Sequence, residues 1–161
     1  MNFFDLIFSI ILIGFFIFSF ARGSFKELFS TLGAVGGYLA AENFTDKYIS
    51  VALQFMQDSG RARLVTYLVI FALGLIVGAL LSAFFKLFYS SQPASLPSRI
   101  LGGLLGLIKA ITVCLVIYFI VSGYIPSFAD DLYQSVYAPW LKNIQNLLNG
   151  INFAFLENTI A

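Results

Sequence analysis

Of the chain's 161 residues, 60% are hydrophobic and 11% charged; nine Lys and Arg against eight Asp and Glu leave a net charge of +1, and the mean hydropathy is +0.91. A soluble domain carries about 25% charged residues, and a fold this small leaves much of its surface exposed, so the surplus of apolar side chains points to lipid as a second solvent. The near-neutral balance excludes a phosphate-gripping nucleic-acid surface. With no His and one Cys, Cys114, Ser-His-Asp and Cys-His nucleophiles, His- or Cys-based metal sites and an intrachain disulfide are excluded as well. Cys114 lies in an apolar run and reads as a small packing residue.

Uncharged runs of membrane length organise the chain. The first covers 6–21, after Asp5 and before Arg22. No basic residue precedes it, so it reads as a retained helix rather than a cleaved leader. The second, 28–41, rises only about 21 Å as a helix. Phe25 and Phe44 can lengthen it if Lys26, Glu27 and Glu42 snorkel outward; a re-entrant or interfacial helix is the alternative. The third run, 64–85, is 22 residues without a charge, and the fourth, 100–121, contains only Lys109. The polar Pro/Ser stretch 90–98 between them is expected to interrupt the helix.

Two further stretches are amphipathic. Phe44, Tyr48, Val51 or Ala52, and Phe55 recur at helical spacing before a stop at Asp58-Ser59-Gly60. In the tail, Tyr137, Leu141, Ile144, Leu148, Ile151 and Phe155 form one apolar seam behind Pro139. The seam suits the bilayer surface, the bundle or a partner. The expectation is therefore an all-α polytopic membrane protein. Its transmembrane domain spans 1–125, with four spans near 4–21, 25–44, 64–85 and 100–121. An extramembrane amphipathic tail follows over 126–161.

Four spans put both termini on one side. Arg22, Lys26, Lys86 and Arg99 cluster near span ends, whereas Lys47, Arg61, Arg63 and Lys142 are spread over longer stretches. The positive-inside rule then places the Arg22 loop in the cytoplasm and the termini in the periplasm, although Arg61 and Arg63 abut the third span and argue the other way.

Small residues step by four in three segments: Gly33, Gly37 and Ala41; Gly74, Gly78 and Ser82; Gly102, Gly106, Ala110 and Cys114. Such a step keeps them on one helix face, where backbones can approach closely in lipid. The faces suit a tight bundle within one chain or a homo-oligomer. Lys109, about 13 Å into the fourth run, either snorkels to the interface or pairs with Glu27 at the same membrane face; Asp5 lies at the opposite end. The corner Arg22-Gly23-Ser24-Phe25-Lys26-Glu27 reads as a membrane-interface anchor or a docking corner, with Gly23 at the turn. Asp130-Asp131 sits in a polar stretch and reads as a solvated turn. No residue set supports catalysis, a metal or a cofactor, so none of the three is expected.

Asp5 opening the first helix, the 22–27 corner, and Arg99-Ile100-Leu101-Gly102 with Gly106 and Lys109 together resemble the colicin V production (CvpA) family of bacterial inner-membrane proteins. The resemblance runs from the first to the fourth segment. Ser98 and Ala110 depart from it, standing where an acidic residue and a Gly are frequent. What it implies is an inner-membrane accessory or scaffold protein associated with colicin V production and export and with envelope homeostasis. Envelope or export proteins would be its partners. A small oligomeric transporter or channel is the alternative.

Overall fold

The computed structural model describes residues 2–56, 58–88 and 95–160, and side-chain surroundings at these positions except 25–26, 86–88, 126, 149 and 151–160. Among them the chain forms six helices and no strand: α1 (Phe3–Arg22), α2 (Ser24–Leu53), α3 (Ser59–Phe88), α4 (Leu96–Tyr124), α5 (Pro126–Tyr133) and α6 (Ala138–Ile160). Helix is the expected answer for chain in hydrocarbon, since it satisfies every backbone N–H and C=O within the segment.

The breaks follow local chemistry. Between α1 and α2, Gly23 adopts φ 83°, a left-handed conformation that costs a side-chain-bearing residue much more. Its N–H still reaches Ser19 O at 3.1 Å, closing α1. Asp58 starts α3: its Oδ1 accepts the Gly60 N–H at 2.9 Å and its carbonyl accepts the Ala62 N–H. The Pro/Ser connection expected over 90–98 is shorter at its far end than the sequence suggests, because α4 already includes Leu96, Pro97 and Ser98. Proline is tolerated there because first-turn N–H groups have no partner within the helix. Residues 90–94 of that connection lie outside the described residues.

Among the described residues, three helices are long and apolar enough to cross a membrane: α1, the 59–85 part of α3, and α4. The expected second span, 25–44, does not qualify. Its apolar run is bounded by Glu27 and Glu42 and belongs to a 30-residue helix that also carries Lys26, Asp46 and Lys47. The separate amphipathic stretch expected from Phe44 onward is the continuation of this helix, to Leu53.

The chain forms two compact units. In the first, residues 10–113, α2 and α3 make an antiparallel hairpin joined at glycines. A Cβ on Gly33 would lie 2.5 Å from Gly78 Cα, and one on Gly37 3.0 Å from Gly74 Cα. Each step of four up α2 thus meets a step of four down α3, a register that sets 26–47 alongside 64–85. Phe29 and Phe85 stack in the same interface, with centroids 4.2 Å apart.

The second unit comprises the described residues up to Ser9 and from Cys114 onward. Phe4, Phe8, Cys114, Leu115, Tyr118, Leu132, Ala138 and Leu141 are buried. Of the tail seam, Leu141 is buried and Tyr137 meets Phe8 edge-on at 6.0 Å. The side chains of Ile151 and Phe155 lie outside the described residues.

Candidate functional site

The candidate residues of the 10–113 unit converge where the C-terminal turns of α1, the first turns of α2 and the glycine face of α4 meet. Gly102 lies against the backbone of the α1–α2 corner: a Cβ there would sit 2.7 Å from Ser19 O and 2.8 Å from the Gly23 carbonyl carbon. One turn on, a Cβ at Gly106 would collide with the Ser19 side chain and come within 2.8 Å of Phe15 O. Next on that face, Ala110 is fully buried. Thr31 Oγ1 donates to Leu105 O at 3.1 Å, tying α2 to α4.

Beside this contact, Lys109 Nζ donates to Glu27 Oε1 at 3.1 Å and to Ser30 Oγ at 2.6 Å, and stands 5.4 Å from the centre of the Phe15 ring. Glu27 is 1% exposed and Lys109 12%. The structure therefore brings Lys109 to Glu27, and neither snorkels to the surface. The sequence reading missed Ser30, one helical turn from Glu27 on the same face, a spacing that could have indicated it. Glu27 Oε2 and Ser19 Oγ are buried with no hydrogen-bond partner among the described residues.

The corner is closed by Ser98. Its Oγ accepts the Ser24 N–H at 3.2 Å and lies 3.0 Å from Ser24 Oγ. A hydroxyl from α4 thereby satisfies one of the amides that the start of α2 leaves without an intrahelical partner. Where an acidic residue was expected from the resemblance, a neutral cap serves. Arg22 is exposed, its guanidinium 3.9 Å from the centre of the Phe18 ring, and Arg99 is exposed in the first turn of α4. The Lys26 side chain lies outside the described residues.

In the other unit, Asp5 is a separate polar centre. Its Oδ1 accepts from Ser135 Oγ at 2.6 Å and from the Val136 N–H at 2.9 Å, and its Oδ2 accepts from the Asn2 N–H at 3.0 Å. Ser9 Oγ and Tyr137 Oη are 3.0 Å apart one helical turn on. The start of α1 thus fastens the turn between α5 and α6, a pairing across 130 residues that no local sequence pattern announces.

The family model for the Colicin V production protein matches residues 4–146. The chain belongs to the Colicin V production protein family. The match covers the Glu27–Lys109 centre and the Asp5–Ser135 centre together, and with three membrane-length helices it makes this a membrane protein. No curated protein and no solved structure matches the chain.

The remaining polar group that sequence reading missed is on the α2–α3 hairpin. Glu42 was expected to snorkel. Its Oε1 is instead buried, in company with Tyr38 and Tyr67, each 1% exposed. The signal was the Tyr38–Glu42 spacing of four, which puts phenol and carboxyl on one face of α2.

Proposed function

We propose that this member of the Colicin V production family is an inner-membrane accessory or scaffold protein that supports colicin V production and export and envelope homeostasis through contacts with envelope or export proteins. The observation that carries the reading is how the candidate residues of the 10–113 unit are used. Gly102, Gly106, Lys109, Gly23 and Glu27 hold α1, α2 and α4 to one another at backbone distance. A glycine face closed by a buried ion pair is a rigid joint, since neither ion can leave without exposing an unpaired charge in a low-dielectric site. Such a joint fixes the shape of a surface offered to partners. It requires no catalytic group, metal or cofactor, and the protein is read as a non-enzyme; with three spans rather than four, the two termini no longer fall on one side.

The test is complementation. A colicin V-secreting strain that lacks its own member of the family should regain toxin secretion when given this chain, and in-cell crosslinking with mass spectrometry should recover envelope or export proteins. Unrestored secretion at normal membrane levels contradicts the reading. Solute movement through the purified protein in liposomes would replace it with a transporter.

A further inference from the structure

Glu42 lies on a helix that by composition does not qualify as a span, yet the hairpin register sets it beside one that does. The Gly33–Gly78 and Gly37–Gly74 contacts place Glu42 level with Val69 of α3. That is five residues inside the uncharged run beginning at Leu64, or about 8 Å past its edge. An ionisable side chain at such depth is rare and marks function by default.

Its surroundings supply buried hydroxyls, and the one cation that acts on it, Arg63, is itself paired with Asp46. Tyr38, one turn back on α2, has its Oη buried, and the phenol and carboxyl interact across that turn, although neither Tyr38 Oη nor Glu42 Oε1 completes a hydrogen bond of full geometry with a described residue. By the same register Tyr67 of α3 lies level with Phe44, two residues from Glu42, and is 1% exposed. The charged groups on these two helices near Glu42 are Asp46, Lys47, Arg61 and Arg63. Arg63 is held by Asp46 at 3.1 Å, and Arg61 by Asp58 at 3.3 Å. Lys47 is exposed, and Asp46 adds a like charge. On the α1 and α4 segments of this unit the charges are Arg22, Arg99 and Lys109, and Lys109 is committed to Glu27, about 22 Å along α2 from Glu42. Removal from water, and to a lesser degree the like charge of Asp46, favours the neutral form of the carboxyl, against the Tyr38 phenol and the Arg63 charge, which favour the anion.

We propose that the Glu42 carboxyl, enclosed with Tyr38 and Tyr67 in the apolar stretch of the α2–α3 hairpin, is a proton-binding site. The neutral acid fits the site because it can both donate to and accept from a phenol. Losing the proton to solvent leaves a charge, only partly offset by Tyr38 and Arg63, between two helices that are otherwise sealed by glycine contacts. Proton occupancy and hairpin closure are thereby linked. The inference stands independently of the scaffold role.

The experiment is an infrared titration of the full-length protein in nanodiscs, following the C=O stretch of protonated carboxyl groups. The wild type should show a protonated carboxyl at pH 7, where an ordinary glutamate, with a pKa of about 4.3, is ionised. The signal should vanish in Glu42→Gln and persist in Glu27→Gln. If Glu42→Gln fails to fold, Tyr38→Phe keeps the carboxyl while removing a hydroxyl, and must shift the band. A wild type with no such band at pH 7, a band unchanged in Glu42→Gln or unshifted in Tyr38→Phe, or a band displaced by Na+ at fixed pH overturns the proposal.

Discussion

Glu27 and Glu42 occupy the same helix, α2, and both have carboxyl oxygens removed from solvent, but their surroundings solve the problem of a buried acid in opposite ways. Glu27 is met by Lys109 and Ser30 beside a backbone-to-backbone contact of α1 and α4. Glu42 is met by two phenols beside a backbone-to-backbone contact of α2 and α3, and the nearby arginine is engaged by Asp46. The first arrangement pairs the acid with a cation and locks three helices; the second surrounds it with phenols in the proton-binding site proposed above. One residue type, placed on two glycine-packed interfaces, thus serves as a fixed joint at one level of the membrane and as a titratable group at another. The Asp5 carboxylate is a third solution, held by neutral donors from Ser135, Val136 and Asn2.

The strongest way to break this contrast is to remove the lysine. Lys109→Leu strips Glu27 of its cation and should destabilise the protein by about 3–5 kcal/mol, the usual cost of stranding one partner of a buried pair. Thermal unfolding in nanodiscs measures it. Next, Gly74→Leu drives a side chain into the Gly37 backbone and should cost about 3 kcal/mol, the upper end for overpacking. Because it parts the hairpin, it should also lower the Glu42 proton affinity toward that of a solvated glutamate, whereas Gly106→Leu should cost as much and leave Glu42 unchanged. Ser135→Ala takes from Asp5 its hydroxyl donor and should raise maleimide labelling of a cysteine placed at Leu141 several-fold. The smallest effect belongs to Glu42→Gln, a close match to the neutral acid. Its stability at pH 7 should stay within about 0.5 kcal/mol of wild type, and a loss comparable to that of Lys109→Leu would show that Glu42 is ionised and paired.

The glycine ladders were legible because a step of four in an apolar run has a single geometric meaning, and the structure packs each of Gly33, Gly37, Gly74, Gly78, Gly102 and Gly106 at the closest approaches. The Lys109–Glu27 pairing was legible too: a lone charge in a span requires a partner, and few acids share its membrane face. Glu42 was misread because its role depends on the register between α2 and α3, which sequence periodicity within either helix does not set. The same dependence explains the overcounted spans. The run over 28–41 looked like a short crossing of its own, yet it is part of a longer, more polar helix whose position is dictated by the glycines of α3. The Asp5–Ser135 contact joins the two ends of the chain and is beyond any local pattern. The Ser98 cap shows the converse: a departure from a family pattern still filled the structural need, because a helix start requires an acceptor and a hydroxyl supplies one.

The joint at Glu27 is tested most directly by a double-mutant cycle in the full-length protein in nanodiscs, with Lys109→Leu, Glu27→Leu and the pair together, read by unfolding free energy. The buried ion pair requires strong coupling: each single substitution should destabilise the protein, and the double substitution should recover most of the loss, because no unpaired charge remains. Additive losses in the double variant would contradict the joint and, with it, the rigid scaffold built on it.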